Sequence, residues 1–377
     1  MFCVIDVTSS SGRPSRTVAV MGRGQALATV GGHRVEEPVI VSANRRYVAS
    51  MNVALTVGDF LTRAALVYGD RVALVDEPDT PGSLGRLTYV QLHRRARGMA
   101  LALDRMGVGH GERVAIVSPN AARLLIAFWG VGGFGRTVVP INFRLTADEV
   151  RYIVEHSGAS VLLVDPELDD AMIDVQAKHR ILLDGRADAE LFAEAPDGAE
   201  PARWEPDEQA TANVNYTSGT TARPKGVQIT HRNAWLNACT FGWHVGISDR
   251  DVYLHTLPMF HCNGWGIPYA VTGMGGRHVV LRKVDGEEIL SRVDAERVTL
   301  LCGAPAVVGM ILDAAATRRE RGEAIPGRGR VRMVVAGAPP PSKVIERFGE
   351  ELGWEFIQIY GLTETSPLLT INRAPAE

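Results

Sequence analysis

The segment YTSGTTARPKG, residues 216–226, gathers groups suited to holding phosphate. Thr217, Ser218, Thr220 and Thr221 offer hydroxyl donors. Gly219 lets successive backbone N–H groups converge on one point, which makes an anion-binding concavity. Lys225 adds a mobile point charge, and Pro224 stiffens the exit. The order is not that of a P-loop, because Lys225 precedes Gly226 rather than following the second glycine. Composition alone also fits a flexible surface loop.

Three further segments carry reactive or polar groups. LPMFHCNGWG (257–266) sets His261 beside Cys262, with His255 close by. No fourth ligand has the spacing of a zinc site, so taken alone His261 and Cys262 read as a half-buried packing pair. AGAPPP (336–341) reads as a strand-to-helix turn, and Glu364 within IYGLTETSP (359–367) reads by itself as a solvated acid. GVGGFG (130–135) matches GxGxxG, but it follows the helical AARLLIAFW (121–129) and precedes the strand TVVPIN (137–142). A dinucleotide loop has the opposite order, strand then helix, so a nicotinamide cofactor is not expected.

Taken together, these segments resemble the adenylate-forming ligases, specifically the AMP-forming acyl-CoA synthetases. Residues 216–226 are similar to the family's [YF]TSGTTGxPKG phosphate loop, and 359–367 to its YGxTE motif. The resemblance implies that Lys225 and the loop hydroxyls hold the β- and γ-phosphates of ATP. It implies that Tyr360 and Gln358 lie near adenine, and that Gly361 and Thr363 approach the nucleotide, Thr363 at the α-phosphate. Glu364, with Thr221, would hold Mg2+, which favours hard oxygen ligands. Gly337, Ala338 and Pro339 would line the base. His261 would stand near the reacting carboxylate, with Asn263, Gly264 and Trp265 shaping the acyl wall. The implied reaction is attack of a carboxylate on ATP to give an acyl-adenylate, then thioester formation with coenzyme A. The HCNGW form resembles the branch acting on short- to medium-chain, branched or aromatic acids. Transfer to a carrier protein, or a non-catalytic nucleotide-binding remnant, are the competing readings.

Two departures from the family pattern stand out. Ala222 replaces a usual glycine, a cost of ~1 kcal/mol if that residue needs positive φ. A charge pair at ~4 Å is worth roughly 4 kcal/mol at an effective dielectric near 20, so Lys225 outweighs Ala222. The resemblance runs from about Val53 to Asn372, the large domain. No TGD segment and no lysine-bearing small C-terminal domain follows Glu364. The expectation is therefore weak nucleotide binding, little or no ligase activity, and uncovered apolar surface that favours a homodimer or a complementing domain.

The elements that must position these residues follow a βα rhythm. Thr88 and Gln91 form a capping box. Leu92, Ala96, Met99, Leu103 and Met106 then share one helix face, closed by Gly107. Thr146 with Glu149 opens a second helix ending near Gly158. RVAIVS (113–118) and SVLLVD (160–165) are apolar without alternation, as strands covered on both faces are. Later strands are expected at 212–216, 252–257, 278–282, 299–303, 332–337 and 355–360, and helices at 286–296, 305–318 and 342–352. This pattern means an α/β fold of mostly parallel sheets with helices on both faces, in several lobes. The expected division is a loosely structured extension (1–50), a first lobe with an acidic linker (51–210) and a second lobe with the ATP motifs (211–377). Residues 186–210 hold eight acids against two arginines and read as an exposed linker.

The chain has 377 residues, 46% of them hydrophobic, which exceeds one compact core. A net charge of −3 offers no basic field for nucleic acid or an anionic membrane. The four cysteines, Cys3, Cys239, Cys262 and Cys302, are widely spaced, which points to a reduced cytoplasmic protein. No apolar run reaches the ~18 residues of a membrane span.

Overall fold

The computed structural model describes residues 53–78, 80, 82–217 and 223–373, and four short strands before them. Those four make two antiparallel pairs, β1 (Val7–Thr8) with β2 (Pro14–Ser15) and β3 (Thr29–Val30) with β4 (His33–Arg34). The expectation of a loosely structured extension over 1–50 otherwise falls outside the described residues. A separate compact unit runs from Ala54 to Glu377, and it carries every candidate site residue.

Two sheets organise that unit. The first has six strands in the order β10–β9–β7–β8–β11–β12. They are β7 (Arg113–Val117), β8 (Thr137–Ile141), β9 (Ala159–Val164), β10 (His179–Leu182), β11 (Thr211–Thr217) and β12 (Lys225–Thr230). The second has eight, ordered β18–β17–β16–β15–β13–β14–β5–β6. They are β5 (Val72–Val75), β6 (Arg86–Thr88), β13 (Val252–His255), β14 (Arg277–Val280), β15 (Leu300–Gly303), β16 (Arg332–Val335), β17 (Glu355–Gly361) and β18 (Leu368–Arg373). Pairing is parallel except for β5–β6, β11–β12 and β17–β18. The sheets do not divide at residue 210. Strands β11 and β12 complete the first sheet, while β5 and β6 join the second.

The unalternating strands are apolar because both of their faces are covered. In β7, Val114 and Ile116 enter the core shared by the two sheets, while Ala115 and Val117 enter a separate core under the helix Ala147–Ser157. In β13, Tyr253 faces the shared core and Leu254 faces the core under Gly286–Ala295 and Pro305–Glu320. Both capping boxes form. Thr88 N–H donates to Gln91 at 2.9 Å and Thr146 N–H donates to Glu149 at 2.8 Å. A third, Thr230 with Asn233, starts the helix His231–Val245.

The acidic segment is not an exposed linker throughout. Asp188 is 0% exposed and pairs with Arg123, and Leu191 and Phe192 join the shared core. A buried carboxylate needs such a partner, because isolated charge is strongly disfavoured away from water. The sheets are also pinned to each other. The Arg282 guanidinium, just after β14, donates to both oxygens of Asp165, just after β9, at 2.9 and 3.1 Å. Asn120 donates to the carbonyls of His255 (2.8 Å) and Leu257 (3.0 Å) and accepts from Met259 N–H at 2.7 Å. GVGGFG is a helix end feeding β8, as its sequence context implied. Among the described residues no helix is long and apolar enough to cross a membrane.

Three histidines are buried in this unit. His255 and His278 share a hydrogen bond of 3.0 Å, and His278 also meets the Thr272 hydroxyl at 2.9 Å. Burial holds His278 at about 3 and His231 at about 4, and pushes His255 well below its ordinary value, next to His278. The folded chain therefore resists protons that the unfolded chain accepts below about pH 6.5. Stability should fall by about 1.4 kcal/mol per pH unit for each such histidine as pH drops from about 6.5 towards 4. Urea midpoints measured between about pH 7 and pH 5 test this. A flat profile, or one unchanged in His278→Gln, contradicts it.

Candidate active site

The hydroxyl-rich loop joins two antiparallel strands, with Thr217 opposite Lys225 in the ladder. Strand β11 runs parallel to β8. The strands on either side of the loop pair antiparallel, so β11 leads through it into β12 and not into a helix. Thr217 and Lys225 are placed by the ladder. Ser218, Gly219, Thr220 and Thr221 lie outside the described residues. The back of the hairpin is tied to the helix Ala147–Ser157. The Tyr216 hydroxyl meets His156 Nδ1 at 2.8 Å, Tyr152 donates to the Pro224 carbonyl at 3.3 Å, and Arg223 lies 5.3 Å over the Tyr152 ring.

Three segments remote in sequence line one cleft of about 470 Å³. Thr217 and Lys225 form one wall, His261, Cys262 and Trp265 a second, and Gly361, Thr363 and Glu364 a third, with Gly337 also in the lining. Strand β12 packs against the turn Thr363–Thr365. Burial, reinforced by the charge of Glu364, raises the Cys262 thiol to about 12. That thiol is therefore protonated and unreactive at neutral pH. His261 is solvent-exposed, yet the surrounding protein atoms lower its pKa, which favours the uncharged ring at neutral pH.

Other expected positions fall elsewhere. Successive strand residues point to opposite faces. In β17, Ile359 lines the cleft, whereas Gln358 and Tyr360 alternate away from it, and Tyr360 is 56% exposed. Ala338 and Pro339 are exposed and outside the cleft lining. Asn263 and Gly264 do not face the cleft. They are buried behind its wall.

That wall has unusual backbone. Cys262, Asn263, Gly264, Trp265 and Gly266 have φ of 48°, 50°, 60°, 59° and 74°, a full left-handed turn. For Cys262 and Trp265 this costs about 1–2 kcal/mol each, whereas asparagine adopts this conformation more readily. Buried amides offset the cost. Asn215, two residues before Thr217, donates to the Phe260 carbonyl at 3.2 Å and to Asn263 Oδ1 at 3.1 Å. Asn263 in turn donates to the Tyr269 hydroxyl at 3.1 Å. Sequence reasoning missed Asn215, which no motif marks and which is buried beside a second asparagine, Asn213, in the same strand.

The sequence matches the family described as AMP-binding enzyme over residues 61–377. It is 35% identical over 331 residues to a long-chain-fatty-acid–CoA ligase of Thermus thermophilus, covering 85% of this chain and 60% of that protein. It is 33% identical over 341 residues to a peroxisomal acetate/butyrate–CoA ligase of Arabidopsis thaliana, covering 83% and 58%. The chain thus spans about 60% of the length of these curated relatives. Among solved structures, the N-terminal domain of FACL13 from Mycobacterium tuberculosis superposes with a TM-score of 0.73 at 28% identity, covering 82% of this chain and 77% of that one.

The two glycines of the left-handed turn give a matched test. A Cβ on Gly266 would lie 2.5 Å from Asn237 Nδ2, whereas one on Gly264 would meet nothing closer than 3.6 Å. Gly264→Ala should therefore cost only the backbone penalty, about 1–2 kcal/mol. Gly266→Ala should add an overpacking cost of about 1–3 kcal/mol. Equal losses in denaturant unfolding would show that Asn237 is not packed against the turn.

Proposed function

The chain belongs to the AMP-binding enzyme family, and we propose that it serves an AMP-forming acid–thiol ligase acting on a carboxylate, ATP and coenzyme A. The observation that carries this reading is the convergence of Lys225, His261 and Glu364 on one cleft. A carboxylate oxygen attacks the α-phosphorus of ATP, the bond to pyrophosphate breaks, and an acyl-adenylate forms. The coenzyme A sulfur then attacks the acyl carbonyl, AMP departs, and the thiol proton is lost to solvent.

Lys225 and the loop hydroxyls orient the β- and γ-phosphates, and positioning together with charge neutralisation supplies most of the rate. The Glu364 carboxylate suits a hard divalent cation, with Thr221 as the second candidate oxygen. Bound Mg2+ supplies further neutralisation of phosphate charge. An uncharged His261 can donate one hydrogen bond to the substrate carboxylate without capturing it as a salt bridge. Gly337, Ala338 and Pro339 are assigned to the base edge, as are Gln358, Tyr360 and Gly361. Gln358 and Tyr360 then need a nucleotide that reaches around the end of β17. Trp265 closes the acyl wall, with Asn263 and Gly264 shaping it from behind. That wall favours a short- to medium-chain, branched or aromatic acid, a choice supported by the HCNGW sequence and compatible with the acetate/butyrate specificity in the name of the Arabidopsis relative.

Titration with ATP and Mg2+ should give an affinity that falls at least about tenfold in Lys225→Met and again in Glu364→Gln, since each removes a charge facing phosphate or metal. Carboxylate-dependent pyrophosphate exchange, run across an acid panel, reads the chemistry directly. Undiminished nucleotide affinity in the double variant would refute the assignment.

A further inference from the structure

We propose that Asn237 is a positioning residue that sets carboxylate selectivity by tying Trp265 and Leu368, on two walls of the cleft, to the helix that follows β12 through one side-chain amide. The inference rests on the ligase reading above for its substrate class, but the contacts themselves do not. Asn237 is 8% exposed and lies two turns into the helix His231–Val245, which leads directly out of the phosphate-hairpin strand β12. Its Nδ2 donates to the Trp265 carbonyl at 2.9 Å. Its Oδ1 accepts from the Leu368 N–H at 3.1 Å, four residues beyond Glu364. The orientation of the amide is dictated by these partners, because a carbonyl can only accept and a backbone N–H can only donate.

The consequence follows from the left-handed turn. Its residues prefer other conformations, so the Trp265 carbonyl keeps its direction only while a donor meets it. Gly266 leaves room for that donor, since any Cβ there would strike Asn237 Nδ2. Without the donor, a buried carbonyl is left unsatisfied, the turn relaxes, and the Trp265 ring moves in the acyl wall. The ladder holding Thr217 opposite Lys225 does not involve Asn237. Loss of Asn237 should therefore act on the carboxylate side and spare the nucleotide side. An ordinary structural residue would weaken both together.

The test uses the whole chain, with Asn237→Asp, which keeps an acceptor for Leu368 and removes the donor to Trp265. Asn237→Ser, which adds no charge, replaces it if the aspartate variant fails to fold. Binding of ATP with Mg2+ and of isobutyrate, octanoate and benzoate is measured by calorimetry. The expected result is at least about a fivefold change in the octanoate-to-isobutyrate affinity ratio, with ATP affinity within about twofold of wild type. An unchanged ratio, or ATP affinity falling in step, overturns the proposal. If wild type binds neither ATP nor any carboxylate, the ligase reading fails separately, and amide hydrogen exchange decides this one. Exchange over residues 262–266 should accelerate at least about tenfold in the variant while β13 is unchanged. Unaltered exchange there overturns the positioning role.

Discussion

Five successive residues, Cys262 to Gly266, wind in the hand that L-amino acids avoid, and the cleft depends on their staying there. Cys262 and Trp265, which line the cleft with Lys225 and Glu364, are both carried on this turn. The opposing energy is of the order of several kcal/mol, comparable with a large share of a domain's net stability. What balances it is a set of buried carboxamides, Asn215, Asn237 and Asn263, each with a donor and an acceptor partner that leave little freedom to the backbone. Buried amides of this kind are costly if left unpaired, so the same groups that enforce the turn also penalise any structure in which it unwinds.

The second constraint is electrostatic. Two sheets end near each other, and charged or polar side chains just past their strands tie them together. Arg282 holds both oxygens of Asp165, and the Ser118 hydroxyl donates to the same carboxylate at 2.8 Å. Asn120 pins the segment after β13 to the segment after β7. These contacts lie between strands that are far apart in sequence. Arg123 with Asp188 does the same for the acidic segment, which is why it packs instead of looping into solvent.

Much of the fold was readable from pattern. Unalternating apolar runs became β7 and β9, and the threonine caps at Thr88 and Thr146 start helices where expected. The fold class and the family follow from those runs and from the motif order. What pattern did not reveal was sheet membership. Strand β11 looks like the start of a second lobe, yet it pairs with β8, because hydrogen bonding between strands depends on spatial neighbours that no local window contains. Tyr360 and Gln358 were assigned to the nucleotide by motif, while strand alternation turns both away from the cleft. The buried asparagines carried no motif at all.

Local chemistry determined by sequence alone includes the hydroxyl-rich loop with its lysine, the isolated glutamate after YGLT, and the secondary structure around them, since these depend on residue type and near-neighbour spacing. Tertiary structure alone decided that Lys225, His261 and Glu364 share one cleft, and that a left-handed turn forms one of its walls. Those outcomes depend on contacts across tens to more than a hundred residues, where the deciding quantity is whether every buried donor and acceptor finds a partner once the sheets are packed.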